Sequence, residues 1–185
     1  MSTTIKALTR EDAPAAATRV MDQLTRSLGR VPNMYAVMAN SPAVLEAYTS
    51  FSNSLRKGSI GAPLEESIAI GAAAYNNCEY CLSAHSYLGA RNGLSGKEIA
   101  DATTLTAQDP KAAAALEFTQ KILSAPATLS LEDADQLRNN GFTDGEILEI
   151  IANVVRNMFT NYLNVVAGTV NDWPPVNQTV AHENK

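Results

Sequence analysis

The chain has 185 residues, 45% of them hydrophobic and 18% charged, with a net charge of −5 and two cysteines in all. That length buries a core without disulfide or metal staples, so one globular domain is expected, and the negative balance disfavours a nucleic-acid partner. Met1 to Lys6 lacks an apolar signal segment and no run nears the roughly 20 apolar residues of a membrane span, so no membrane association and a cytoplasmic location are expected.

Residues 1–12 read as an N-terminal segment, 13–175 as the domain, and 176–185, with His182, as a polar tail. Ala13 to Leu28 carries a helix-period stripe through Val20, Met21 and Leu24 and stops at Gly29. Val31-Pro32-Asn33 reads as a turn, Asn33 to Asn40 as a short helix, and Ser41-Pro42 as a cap with proline opening a helix that runs to Lys57. Leu64 to Tyr75 is nearly unbroken in small and apolar residues after Glu65-Glu66, which predicts a buried helix. Asn76-Asn77 breaks it, and either asparagine could cap the next helix, which runs to about Asn92. Further helices are expected over 95–104, 110–124, 131–140 and 143–170. No segment alternates as a strand does, so the fold class is all-α.

Both cysteines lie in Cys78-Glu79-Tyr80-Cys81, with His85 four residues on. On a helix these three positions fall within an arc of about 60°, so one face would carry two thiols and a base. In a cytosolic protein such a dithiol is kept reduced, and a disulfide across three residues removes little chain entropy, so a transient catalytic pair is favoured over a structural one. Thiolate is the nucleophile, and an unperturbed cysteine with a pKa of about 8.5 is only a few per cent ionised at neutral pH. The positive end of the helix and His85 are the groups able to favour ionisation, and His85 at i+4 is placed to take the proton. Glu66 could orient the imidazole, provided the break at Asn76-Asn77 folds its helix back.

The chain also echoes itself. Gly93-Leu94-Ser95-Gly96-Lys97-Glu98 is matched by Gly141-Phe142-Thr143-Asp144-Gly145-Glu146, each a glycine stop followed by a capping box. Glu66 precedes Cys78 by the same twelve positions as Glu149 precedes Asn161, which lays Asn161 and Asn164 on the two cysteines. An internal duplication is expected, its second copy keeping the helices and losing the thiols.

Glu66, eleven intervening residues, Cys78-x-x-Cys81 and then His85 resemble the AhpD-like alkylhydroperoxidases of the carboxymuconolactone decarboxylase superfamily. Gly29-Arg30-Val31-Pro32-Asn33, Ser41-Pro42-Ala43 and the helix around Glu146 to Asn164 resemble its peroxidase-related members, so the likeness runs from Ala13 to Pro175. The resemblance implies an AhpD-like helical bundle, a homo-oligomer, often a trimer or hexamer, and thiol-dependent reduction of peroxides. It implies Cys81 as the peroxidatic cysteine, Cys78 as the resolving one, Glu66 and His85 as a proton relay, and an external dithiol as reductant. Tyr80 stands where some members carry a second histidine, so a relay through that position is absent.

No cofactor and no metal are expected. The competing readings are a dithiol-disulfide oxidoreductase or redox sensor, a decarboxylase-like lyase, and a metal-binding module. Carboxymuconolactone decarboxylases proper lack the paired cysteines. A zinc site would take Cys78, Cys81, His85 and Glu66, yet structural zinc sites usually draw on two separated segments. Tyr48 and Tyr80 read as packing residues, and Asn161 and Asn164 as helix-packing or interface residues.

Overall fold

The computed structural model describes residues 5–176; His182 and the rest of the expected tail beyond Val176 lie outside them. Val176 itself packs against the cysteine-bearing cluster, and Leu8 and Ile5 are tied down at the other end by backbone hydrogen bonds to Ala36 and Ala167.

Among the described residues every regular element is helical. The α-helices are α1 (Ala15–Leu28), α2 (Asn33–Met38), α3 (Pro42–Leu55), α4 (Ala62–Tyr75), α5 (Glu79–Arg91), α6 (Gly96–Thr103), α7 (Pro110–Ser124), α8 (Leu131–Asn139) and α9 (Asp144–Ala167). Helix starts follow their caps: Ser41 and Asp109 accept the backbone N–H groups of Val44 and Ala112, and Ser95 and Thr143 form reciprocal capping boxes with Glu98 and Glu146. The last helix ends at Ala167 rather than near Val170, because Gly168 turns left-handed at φ 61°.

The buried helix expected from Leu64 to Tyr75 is α4, and it is the centre of the molecule, packed against α5, α6, α7 and α9. Ile68 and Ile70 are fully buried on opposite sides of it. Ile68 joins Leu116, Phe118, Ile150 and Val154 in one core, while Ile70 joins Tyr80, Leu82 and both cysteines in another. A third core, of Val20, Met21, Tyr35, Met38 and Leu45, holds α1 to α3. Small residues set the approach of the helices. At Gly71 a Cβ would collide with the Leu105 side chain and lie 3.1 Å from the Ala102 carbonyl oxygen, and at Gly89 it would lie 2.9 Å from Leu94 and 3.6 Å from the Glu66 Cβ. Gly89 thus lets α5 close onto α4 beside Glu66.

The break between α4 and α5 differs from the sequence expectation. Neither asparagine caps α5; Cys78 does. Asn77 adopts the left-handed conformation, φ 53°, and two reversed hydrogen bonds, Asn77 N–H to Ala74 O at 3.2 Å and Cys78 N–H to Ala73 O at 2.9 Å, close α4. Asparagine tolerates that backbone better than other residues with a side chain, glycine apart. Cys78 is therefore extended, one residue before the helix, and only Cys81 and His85 share the helical face on which all three were expected.

The two echoes also part company. Both capping boxes form, but α9 runs unbroken through the stretch laid on Asn76 to Cys78. Thr160 stands there where Asn77 stands in the first copy, and a β-branched residue resists the left-handed conformation. Its hydroxyl instead bonds the Asn157 carbonyl at 3.1 Å, inside the helix.

Candidate functional site

The break folds α4 back along α5, and this brings Glu66 to His85. The imidazole Nδ1 lies 2.8 Å from Glu66 Oε2, in a pair whose side chains are 21% and 14% exposed. A carboxylate only accepts, so Nδ1 carries the proton, and in the neutral imidazole Nε2 keeps its lone pair. Asn92, at the end of α5, donates to the other carboxylate oxygen at 3.3 Å, which holds Glu66 from both sides.

Cys78 and Cys81 form a disulfide, Cα to Cα 5.3 Å, and are 1% and 2% exposed. The Cys78 sulfur occupies the capping position of α5 and accepts the Cys81 backbone N–H at 3.3 Å. An N-cap position next to unpaired N–H groups favours negative charge on that sulfur. Cys81, in the first turn, faces a cavity of about 110 Å³ that His85, Glu66, Met34, Tyr35, Tyr48 and Tyr80 also line. A larger hollow of about 500 Å³ lies between α6, α7 and the start of α4, away from the cysteines, with Lys97, Lys111, Glu98 and Asp101 on its walls. The chemistry-bearing residues belong to the smaller one.

Sequence reasoning passed over several contacts that α9 makes here. Asn164 Nδ2 donates to the Cys81 sulfur at 3.3 Å, and Asn161 Oδ1 accepts from Asn76 Nδ2 at 2.9 Å, pinning the break to α9. Sulfur in a disulfide or thiolate has no proton to give, so the amide N–H must face it; the Asn164 oxygen is then buried without a partner. Asn161 and Asn164, which the sequence echo lays on the two cysteines, lie against the region of those cysteines. A signal was present: Asn153, Asn157, Asn161 and Asn164 recur every three or four residues, and all are buried. A stripe of carboxamides at helical spacing marks a face turned to polar groups inside the molecule.

Glu65 and Glu66, though adjacent, diverge. Glu66 reaches His85, and Glu65 faces Arg156 of α9, Oε2 to Nη1 3.6 Å. Burial pushes the Glu65 carboxyl up, with Arg156 pulling it the other way. Burial also raises the hydroxyls of Tyr35, Tyr48 and Tyr80, so they stay protonated. Tyr48 packs between Tyr35 and Phe159, while the Tyr80 hydroxyl accepts the Met34 N–H at 3.2 Å. The segment after α9 covers the site: Asp172 pairs with Arg30, Trp173 lies under the Arg30 guanidinium, and Asn171 donates to Ser83 at 2.9 Å. No cluster of three or more histidine, cysteine, aspartate or glutamate side chains among the described residues is arranged to hold a metal ion. No helix among them is long and apolar enough to cross a membrane.

Residues 42–121, which contain Glu66, Cys78, Cys81 and His85, match the carboxymuconolactone decarboxylase family model. No functionally curated protein matches the chain. Among solved structures the fold is similar to that of a peroxidase-related protein with an alkylhydroperoxidase AhpD core from Ralstonia eutropha JMP134, at a TM-score of 0.81 and 22% identity over 95% of this chain and 93% of that one. A peroxidase-related protein from Silicibacter sp. TM1040 is equally similar, TM-score 0.81 and 24% identity over 93% of each chain. The debrominase Bmp8, solved in complex with 2,3,4-tribromopyrrole, follows at a TM-score of 0.77 and 24% identity, again over 93% of each chain. The family match covers residues 42–121, under half of the chain, and the fold is similar to that of AhpD-like, peroxidase-related proteins.

Proposed function

We propose that this protein is a thiol-dependent peroxidase that reduces hydrogen peroxide or small organic hydroperoxides. The observation that carries the reading is the convergence of Cys81, the His85–Glu66 pair and one small cavity, with Cys78 already in bonding position behind Cys81. His85 Nε2 takes the Cys81 proton, and the Asn164 amide N–H holds the resulting thiolate. The thiolate attacks one peroxide oxygen; an S–O bond forms, the O–O bond breaks, and the departing oxygen takes the proton back from His85. Cys81 becomes a sulfenic acid, oxidised by two electrons, while the peroxide becomes an alcohol or water. The Cys78 sulfur then displaces hydroxide, which leaves as water, and the disulfide forms. An external dithiol returns the two electrons.

The test is stopped-flow mixing of the reduced protein with hydrogen peroxide and an organic hydroperoxide, with the disulfide followed by mass spectrometry. Cys81→Ser removes peroxide consumption, Cys78→Ser leaves a sulfenic acid, and His85→Ala or Glu66→Gln slows the first step by about 10²-fold. Oxidation no faster than that of a free thiol overturns the reading. The second reading, dithiol-disulfide exchange or electron donation to another small substrate, is favoured by Cys78 at the helix cap and by the likeness to a debrominase. Fast exchange with slow peroxide oxidation would select it.

We infer also that copies of the chain associate. Leu148, Val155, Phe159, Tyr162 and Val166 are exposed at spacings of seven, four, three and four along the outer face of α9, an apolar seam of the kind helices bury against one another. A monomeric mass by light scattering at micromolar concentration would remove this inference.

A further inference from the structure

The wall of the cavity away from Cys81 carries charge for which the peroxide chemistry has no use. Arg156 is 7% exposed and lines the cavity, and Arg56 lines it at the exposed rim. Among the described residues the one charged contact of Arg156 is Glu65 at 3.6 Å, longer than a hydrogen bond. Burial raises the Glu65 carboxyl while Arg156 lowers it, and Glu65 is the counter-ion of Arg156. A guanidinium holds its charge at any working pH and presents five N–H donors in a fixed fork that matches a carboxylate. Of the two carboxylates lining the cavity, Glu66 is engaged by His85 and Asn92, so two guanidiniums, Arg156 and Arg56, share Glu65 alone and keep donors for a second acceptor.

We propose that Arg156 and Arg56 form an anion subsite, and that the small organic substrate of this cavity carries a carboxylate, held there while its reactive end faces Cys81. The substrate class rests on the reading of the cavity as the place where Cys81 reacts. Position supports it: Arg156 and Asn164 lie eight residues apart on one face of α9, about 12 Å along the axis, so the anion and the sulfur are read at different ends of the cavity. Size narrows the class further. An apolar cavity of about 150 Å³ takes a benzene molecule, and this one is near 110 Å³. The acid is therefore a small one, long enough to set its reactive end apart from its carboxylate, and the same size excludes a fatty acyl chain lying wholly inside.

The experiment uses the full chain in its disulfide form, which cannot turn over peroxide, titrated with butyrate or with its uncharged isostere butyramide and followed by ¹H–¹⁵N NMR. Butyrate is expected to bind about tenfold more tightly than butyramide, or better, a gap of the size one charge-assisted contact gives. Arg156→Gln should bring the two affinities together, Arg156→Lys should keep part of the preference, and Arg56→Gln should lower it by less. Equal affinity in the wild type, no binding of either probe, or a preference that survives Arg156→Gln overturns the subsite. If Arg156→Gln does not fold, Arg56→Gln decides: a reduced preference for the acid supports the subsite and an unchanged one overturns it. Slow peroxide oxidation of Cys81 with acid binding intact would sink the peroxidase reading and leave the subsite standing.

Discussion

The α4–α5 pair and α9 carry the same spacing, a glutamate and then, twelve residues later, the polar residues of the site, yet they do opposite work. Glu66 sits on a helix that is broken eleven residues on, and the fold-back delivers it to His85. Glu149 sits on a helix that is not broken, and its carboxylate instead accepts the backbone N–H groups of Ser59 and Ile60 at 2.7 and 3.1 Å. The deciding residue is neither glutamate; it is Asn77, which accepts the left-handed backbone, against Thr160, whose hydroxyl bonds within its helix. The broken segment gains a helix N-terminus to hold a sulfur. The continuous one lends rigid amides to hold it in place.

Removing the amide that α9 lends should have the largest effect. A hydrogen bond to a charged group contributes about 1.5–3 kcal/mol, so Asn164→Leu should slow alkylation of Cys81 by iodoacetamide at neutral pH by roughly tenfold or more. An unchanged rate would mean that α9 packs on the cysteines without acting on them. Asn77→Ala, in turn, should destabilise the break by about 1–2 kcal/mol, the penalty of a left-handed residue bearing a Cβ. Asn77→Gly should restore it, and urea melts of both variants check the pair. If alanine is tolerated as well as glycine, the backbone at 77 is not what separates the two helices. Thr143→Ala at the head of α9 should cost about 1 kcal/mol through the lost cap. The Thr143 backbone N–H and hydroxyl hold the Glu146 carboxylate below the usual range. A carboxylate lowered in the folded state stabilises the fold above its unfolded pKa and loses that contribution as pH falls through the folded value. The gap between wild type and Thr143→Ala should accordingly narrow in acid, and a gap constant down to pH 3 would exclude Glu146 as its source.

Most helices were legible because their signals are local. Ser41-Pro42, Asp109-Pro110 and the two capping boxes fix starts within a residue or two, and the run from Ile68 to Ala74 announces a buried helix without any knowledge of its partners. The spacing of Cys78, Cys81, His85 and Glu66 was legible for the same reason, since it is set within two consecutive helices. Asn164, Asn161 and Arg156 were not. Their contacts join positions eighty and more residues apart, and nothing local in a helix says which neighbour its polar face will meet. The cap was misplaced by one or two residues because asparagine is both a good N-cap and a good left-handed residue, and here the second preference won.

Cys78 has three commitments at once: its N–H closes α4, its carbonyl accepts the Leu82 N–H at 2.9 Å, and its sulfur caps α5. A side-chain scan that replaces it with alanine would therefore mix two losses, one of chemistry and one of helix initiation, and the second would be mistaken for the first. Serine keeps an acceptor at the capping position and deletes only the redox function. At this position the choice of replacement determines what the experiment measures.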